Sequence, residues 1–514
     1  MKKLFIIFSL TMFLSACSED VFDVSNENAF SFETYYASIP QLNEASNALY
    51  SNLLHEGMYA RDWYFIFDLI GNDAEKAPPL LGDLEQLHNY SYGPTNLVLN
   101  NLWRSMYRFI HRANLVLDAA GRYTAQPGEE ADVNRILGEG HFFKGYAQAH
   151  LAILYGDVPL KPDYETGLSE LEPTRSPVTA VWASAVSDLE EAVSLLPVDY
   201  GDNDFGRITK GAAIAMLGKV KLWQGDFGGA AAELNKLTTA PYNYSLNPDF
   251  DNQFSLANTT SPESVFQVMH GQWEGWGVGN AFFMFGGQET WGGVATHTGR
   301  AQEYGWNDWQ NVFISDAAVN AFTYADEAGE TYVDPRASLT FYGDKGGDMT
   351  YCDLCPDGAL DYPFSEKLYR FRKYQTYEQE EQHGIPQSHI NSQVIRYADV
   401  LLMLAEANIE SGNVNAALPF INEVRARAGA FEYSDLGDQA NARSIVRHER
   451  QLELVGEQVR WFDLVRWGIA KETLKQEKQM QIGDQPFEDK HILLPFPQSE
   501  RDNNPNVSVS NDWN

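Results

Sequence analysis

The sequence predicts a mainly α-helical protein, an α-α superhelix of about four helix pairs joined to an irregular, loop-rich portion. Two observations predict this class. Apolar residues recur at three- and four-residue intervals over two blocks, 97–237 and 394–476, with turn residues between successive runs. Between the blocks, residues 271–305 contain ten glycines, and the helical period fails there.

The stretch 394–429 is the clearest helix pair. Its first run places apolar residues on one helix face: Tyr397, Val400, Leu401, Leu404, Ala405 and, at the end, Asn408. Ser411, Gly412 and Asn413 form a turn, and a second periodic run ends at Gly429, a typical C-cap. The pair is about as long as a tetratricopeptide repeat. Because one such pair cannot bury its apolar face alone, it needs neighbours of the same kind.

Further helices follow from the same period, taken in chain order. They are predicted at 41–54, 97–120, 133–155, 178–196, 210–224, 226–237, 442–456 and 460–476. These runs supply the tetratricopeptide-like helix pairs of the two blocks, and residues 238–393 form an irregular insert between them.

The first residues read as a targeting segment. Lys2 and Lys3 precede a short apolar run, which is too short to span a membrane, and residues 14–17 read Leu-Ser-Ala-Cys. The segment resembles a bacterial lipoprotein signal. We therefore predict a signal peptide at 1–16, a lipidated Cys17, a tether at 17–40 and a single domain at 41–514.

Charge and motif content exclude several classes of function. The formal net charge of −34 is unfavourable for nucleic acid, whose phosphates need a basic surface. The chain has no G-x-S-x-G, H-E-x-x-H or P-loop motif, and no pattern singles out a pair among its 71 acidic residues. We predict that the protein is not an enzyme.

The remaining cysteines predict a disulfide instead of a metal site. Cys352 and Cys355 supply only two of the four ligands of structural zinc, and loop residues follow them. A local disulfide between them suits an oxidising exterior. No cofactor is predicted. Nearby acidic residues leave calcium open as an alternative, although their spacing misses the EF-hand pattern: Asp344, Asp348, Asp353 and Asp357.

Aromatic residues of the insert are the candidate ligand site. Sugars present flat faces of C–H groups ringed by hydroxyls, so a binder needs aromatic platforms with amides and carboxylates at their edges. The candidates in the insert are Trp273, Trp276, Trp291, Trp306, Asn307, Asp308 and Trp309. A similar mixture near the N-terminus adds Trp63, Tyr64, Asn72 and Asp73. The other tryptophans on helix faces, by contrast, are expected in the core.

Several segments resemble the SusD/RagB family of outer-membrane nutrient-binding lipoproteins. They are residues 143–146 (FKGY), 154–160 (LYGDVPL), 206–210 (GRITK), 333–336 (VDPR), 395–407 (IRYADVLLMLAEA), 449–454 (ERQLEL) and 460–468 (RWFDLVRWG). The resemblance implies a tetratricopeptide-like domain capped by a less regular ligand-binding portion. It also implies a glycan ligand, a lipid anchor in the outer membrane facing the cell exterior, and a SusC-like TonB-dependent barrel as partner.

The charged residues of these motifs are expected to hold the fold. Arg460, Asp463 and Arg466 are spaced three apart, so they can form a ladder on one helix face. Two alternative functions stay open at this point. One is a peptide-binding member of the same family, and the other is a helical-repeat scaffold for protein interactions.

Overall fold

The computed structural model describes residues 35–76, 80, 82–164, 173–258, 260–271, 298–304, 311–342, 369–375, 388–477, 486–507 and 513. Helices dominate these residues, which confirms the predicted mainly α class. The first part of the chain contains α1 (Ile39–Leu53), α2 (Asp62–Ile70), α3 (Gly82–His88), α4 (Leu97–Arg122), α5 (Glu130–Tyr155), α6 (Val178–Leu195), α7 (Lys210–Trp223) and α8 (Phe227–Leu234).

Capping residues explain where these helices begin and end. The side chains of Asn96, Thr209 and Asp226 accept from the backbone N–H three residues on, at the starts of α4, α7 and α8. Gly156 follows α5 with φ of 73°. This positive φ favours glycine, so the chain can turn there towards the next pair.

The second part of the chain alternates short helices and strands before the last block. Its helices are α9 (Arg300–Tyr304), α10 (Asp316–Ala321), α11 (Ala337–Thr340), α12 (Tyr397–Glu410), α13 (Val414–Arg427), α14 (Gln439–Leu454), α15 (Arg460–Arg466), α16 (Ala470–Glu477) and α17 (Gln498–Asn503). The pair predicted at 394–429 is confirmed as α12 and α13. The single helix predicted at 460–476 is wrong. Gly468, with φ of 69°, separates α15 from α16 because that conformation cannot continue a helix.

Five two-stranded antiparallel pairs complete the described structure. The strands are β1 (Ala74–Lys76), β2 (Val158–Pro159), β3 (Arg175–Ser176), β4 (Ser264–Val268), β5 (Val312–Ile314), β6 (Thr323–Ala325), β7 (Thr331–Val333), β8 (Phe341–Tyr342), β9 (Arg370–Phe371) and β10 (Ser392–Arg396). β1 pairs with β5, β2 with β3, β4 with β10, β6 with β7, and β8 with β9. β4 therefore joins the insert to the strand that leads directly into α12.

The two helical blocks form one continuous layer. α4 packs against α5, α5 against α6, and α7 against α8. α8 then packs against α12, the first helix of the last block. One hydrophobic core runs through both blocks, as the stacking of repeats requires.

A buried charge network fastens the insert to the last block. It contains five basic and five acidic side chains: Arg336, Lys373, Arg396, Arg425 and Arg427 with Glu263, Asp334, Glu449, Glu453 and Glu457. Its charges balance, which burial demands. Five of its ten members come from motifs that carry the family resemblance, so the predicted structural role of those five residues is confirmed.

Arg396 lies at the centre of this network. Its Nη1 donates to Glu263 Oε1 and to Glu453 Oε1, both at 2.6 Å, and its Nε donates to Glu457 Oε2 at 2.7 Å. Burial alone would raise the pKa of Glu453, but the neighbouring arginines outweigh it and hold that pKa well below its ordinary value. The carboxylate of Glu453 is thus kept ionised inside the protein.

A second cluster links α12, α14 and α15. Arg450 donates to Asp399 Oδ1 at 2.8 Å and to Asp463 Oδ2 at 2.7 Å. Arg466 donates to Asp463 Oδ1 at 2.9 Å, so this part of the predicted ladder exists. Arg460 reaches across to α2, where its Nε donates to Asn72 Oδ1 at 3.0 Å.

Candidate functional site

The predicted site residues of the insert lie outside the described residues. They are Trp273, Trp276, Trp291, Trp306, Asn307, Asp308 and Trp309. Cys17, Cys352 and Cys355 and the acidic residues near the two cysteines also lie outside them. Ligand binding, lipidation, the disulfide and the calcium alternative therefore stay predictions.

The candidates near the N-terminus are buried. Trp63 is 5% exposed and packs against Phe67 and Phe462, with ring centroids 4.6 and 6.1 Å away. Tyr64 is 2% exposed and meets Tyr304 edge to face. The expectation of exposed platforms at Trp63 and Tyr64 is wrong, because α2 is buried on every side, its two aspartates Asp62 and Asp68 included.

Asn72 and Asp73 serve the fold in the same region. Asn72 accepts from Arg460, and Asp73 Oδ2 accepts from the backbone N–H of Gly456 at 3.0 Å. Both are 1% exposed. They connect the end of α2 to the last helical block, so neither is offered to a ligand at the surface. The cavity that Trp63 lines holds about 30 Å³, room for a water molecule or two and not for a sugar.

An open cleft of about 300 Å³ lies elsewhere, where three loop segments meet. We call it the aromatic cleft. Its walls are residues 198–209 between α6 and α7, residues 241–244 after α8, and residues 261–267, which lead into and along β4. The aromatic lining residues are Tyr200, Phe205, Tyr242, Tyr244 and Phe266, and the polar ones include Asp199, Thr209, Asn243, Ser261, Ser264 and Gln267.

Two rings of the cleft lie nearly parallel, and a third ring is exposed. The planes of Tyr242 and Tyr244 lie 7° from parallel, with centroids 6.2 Å apart, and both side chains are half-buried. Phe205 is 48% exposed, which is high for a large apolar side chain. Burial raises the pKa of both tyrosines, so their phenols stay neutral hydroxyls. The cleft thus combines apolar faces with neutral hydrogen-bonding groups.

Local contacts hold the loop 198–209 in shape. Gly206 has φ of 93°, and a Cβ there would come within 2.8 Å of Met269 Cγ, so a side chain is excluded. Tyr200 Oη donates to the carbonyl of Ile208 at 2.8 Å. Arg207 Nε donates to Asp204 Oδ1 at 2.7 Å, and its Nη1 donates to Glu139 on α5 at 3.1 Å. The loop is therefore fixed to the helical layer before any ligand binds.

A second, larger cavity of about 540 Å³ lies between α4 and α17. Its aromatic lining residues are Trp103, Tyr107 and His111, and Trp103 is 4% exposed and covered by Tyr107, Tyr155 and Phe496. Asn114 Nδ2 donates to the carbonyls of Lys161 and Asp163. Because the ring of Trp103 is covered and the amide nitrogen of Asn114 is engaged, this cavity suits a stacked sugar less well than the aromatic cleft.

Neither a metal-binding cluster nor a membrane-spanning helix is present in the described part of the chain. There, no group of three or more His, Cys, Asp or Glu side chains is arranged to hold a metal ion. Within the same residues, no helix is both long and apolar enough to cross a membrane.

Sequence reasoning missed the aromatic cleft. A signal was present, because Pro241, Tyr242, Asn243 and Tyr244 follow the end of a helix and place two aromatics around an amide in a turn. Phe205 likewise stands in a loop of aspartates and glycines. What the sequence could not supply was the meeting of three segments that are tens of residues apart.

Comparison with known proteins gives a consistent family. A family model described as "SusD family" matches residues 262–513, and one described as "Starch-binding associating with outer membrane" matches residues 80–222. The SusD-like protein P2 of Formosa agariphila is 27% identical, and the alignment covers 99% of each chain.

Solved structures agree with this. A SusD superfamily protein from Bacteroides vulgatus has a TM-score of 0.77 at 25% identity, over 93% of this chain and all of that one. A SusD-like carbohydrate-binding protein from Bacteroides fragilis has a TM-score of 0.76 at 21% identity, over 92% of this chain and all of that one, and it supports the fold. The descriptions name binding proteins, in agreement with the prediction that this protein is not an enzyme. The chain belongs to the SusD/RagB family.

Proposed function

We propose that this protein binds oligosaccharides or polysaccharide at the cell surface without cleaving them. We further propose that it delivers them to a SusC-like TonB-dependent barrel in the outer membrane. The observation that carries glycan binding is the aromatic cleft, an open and preformed site with rings and neutral polar groups. Family membership supports it, since one matching family model is described as starch-binding and associating with the outer membrane.

The chemistry of the cleft suits a sugar. Tyr242 and Phe205 line the cleft and can stack on the C–H groups of a pyranose, while Tyr244 stacks on Tyr242 and Tyr397. Asn243 and Gln267 carry amides, which both donate and accept and so match vicinal hydroxyls.

The insert tryptophans fit the same proposal. Gln267 lines the cleft, and Trp273 follows it by six residues, which can span at most about 20 Å. We propose that the cleft binds one part of a chain of sugars and that insert tryptophans bind adjoining units.

Binding to a panel of oligosaccharides and peptides tests this proposal. We expect Tyr242→Ala, Phe205→Ala, Trp306→Ala and Trp309→Ala each to weaken binding of the best glycan about tenfold, since a stacked ring contributes roughly 1 kcal/mol or more. Tyr123→Ala is the matched control, because Tyr123 is a half-buried loop tyrosine outside the cleft. Melting temperatures should stay within a few degrees throughout.

Three results would contradict the proposal. Binding of peptides and of no glycan would favour the peptide-binding alternative. Sugar products after prolonged incubation would show an enzyme. Failure to co-purify a TonB-dependent barrel from native outer membranes would remove the delivery role and leave glycan binding to stand alone.

A further inference from the structure

We infer that the aromatic cleft selects uncharged sugar units and rejects uronate and sulfated ones. The inference rests on the proposed function and specifies its ligand class. It is carried by the charges along the cleft wall. Among the described residues that line the cleft, Arg207 is the basic side chain and Asp199 the acidic one. Binding of an anionic sugar therefore depends on whether Arg207 can pair with the anion and whether Asp199 repels it.

Arg207 is committed to the protein. Its Nε donates to Asp204, its Nη1 to Glu139, and its Nη2 to Asn47 Oδ1 at 3.0 Å. Each of the three guanidinium nitrogens therefore has an acceptor within the protein.

The partner of Arg207 on α5 makes this commitment costly to break. Glu139 is fully buried and also accepts from Tyr50 Oη at 2.9 Å and from Arg135 Nη1 at 3.2 Å. Turning Arg207 towards a ligand would remove one of the two arginines that compensate a buried carboxylate. Arg207 is thus a clamp for the loop 198–209 and not a receptor for anions.

Asp199 disfavours anionic ligands. It is exposed on the cleft wall, where its carboxylate repels a carboxylate or sulfate on a bound sugar. The formal net charge of −34 adds a repulsive background. The other polar lining groups, such as Asn243, Gln267 and Thr209, are neutral and suit sugar hydroxyls.

The test is a glycan array that carries neutral, uronate and sulfated oligosaccharides, probed with the full mature chain in 150 mM salt. Signals that Tyr242→Ala and Phe205→Ala both reduce at least fivefold are assigned to the cleft, provided that the variants keep the wild-type melting temperature. We expect every such ligand to be uncharged. Cleft-dependent binding of a uronate or sulfated ligand would overturn the inference.

Charge reversal gives the second measurement. Asp199→Lys should raise the affinity for mannuronate oligosaccharides at least fivefold relative to manno-oligosaccharides of equal length. Asp202→Lys is the matched control, because Asp202 is exposed in the same loop and does not line the cleft. At this ionic strength screening limits its effect, so its ratio should stay within twofold. Equal ratios for the two variants would overturn the inference.

Failure of the inference and of the proposed function can be told apart. Acidic ligands in the cleft would refute charge selection while glycan binding stands. Glycan signals that no cleft variant alters would remove the cleft as the site and leave the insert tryptophans. An array with no signal at all would refute both.

Discussion

At the scale of single residues, the described structure depends on charged side chains that are buried and paired with one another. Arg396 is 1% exposed, and its acceptors Glu263 and Glu453 are both 0% exposed. A buried ion pair contributes little compared with apolar packing, but removing one partner leaves an uncompensated charge. The network is therefore far more sensitive to a missing member than the number of its hydrogen bonds suggests.

Arg396→Met should lower the free energy of unfolding by about 3–5 kcal/mol, because it leaves three buried carboxylates one cation short. Urea unfolding followed by circular dichroism measures this. Arg443→Met is the control, since Arg443 pairs with Glu410 in a partly exposed position and should cost about 1 kcal/mol or less. Equal losses in both variants would refute the role of the network.

Asp62 makes the stability of the protein depend on pH. Burial raises its pKa to about 8, although Arg61 opposes this, whereas an unfolded aspartate titrates near about 4. The folded protein therefore holds a proton that the unfolded chain releases between these values. The contribution of Asp62 to stability is present at low pH and falls as pH rises through this window.

Asp62→Asn should remove that dependence. Asparagine keeps an oxygen for the hydrogen bond from Asn101 Nδ2 but cannot ionise. The stability of the variant relative to wild type should increase between pH 5 and pH 8, by up to about 1.4 kcal/mol per pH unit. Asp202→Asn, at an exposed position, should give a flat difference over the same range. A flat line for Asp62→Asn would show that its carboxyl is ionised in the fold.

At the scale of elements, the helices follow from side-chain periodicity, and the exceptions have local causes. α12 is confirmed at its predicted place because one face carries Val400, Leu401 and Leu404, all buried. α15 and α16 were predicted as one helix because the apolar period continues across Gly468, and the backbone conformation at one glycine does not show in that period.

Leu404→Asp tests the face of α12. Leu404 is 1% exposed, so the aspartate would be buried without a partner and should cost at least about 3 kcal/mol. Ala416→Asp on α13 is the control, because Ala416 is exposed and a surface substitution stays within about 0.5 kcal/mol. Thermal melts of the two variants measure the difference, and a normal melting temperature for Leu404→Asp would mean that the buried face is assigned wrongly.

The functional site was less predictable than the fold, for physical reasons. The sequence predicts exposed platforms at Trp63 and Tyr64, because aromatic residues look alike in sequence whether they are buried or exposed. Yet α2 has no polar face, and that is the mark of an interior helix. The cleft depends on Phe205, Tyr242 and Gln267 coming together, and no periodicity relates residues on separate loops.

At the scale of the whole molecule, the chain is one helical layer whose insert is fastened to the last block. Cys17 precedes α1 by 22 residues, which span at most about 75 Å when fully extended. A lipid on Cys17 would thus hold the folded domain within that distance of the membrane. This arrangement agrees with the family description of a protein that associates with the outer membrane.

Lipidation and surface exposure are tested on whole cells. We expect mass spectrometry to find an acylated Cys17 at the mature N-terminus, and protease treatment of intact cells to release the domain. The Cys17→Ala protein should be lost from the membrane fraction, because the acyl chains supply the anchoring energy. Cys352→Ala, the matched control, should stay there. A domain protected from protease in intact cells would exclude a surface location.

The buried charge network also determines the order in which the chain can fold. Arg396 meets Glu263 and Glu453, which are 133 and 57 residues away in sequence, and Arg336 meets Glu449 across 113 residues. Closing such long loops costs entropy before any contact rewards it, and a partial network holds unpaired ions. The first block, α4 to α8, consists of neighbouring hairpins and can form early from local contacts. We expect the last block to reach its final packing only after the insert arrives, so this half of the protein should assemble late and cooperatively.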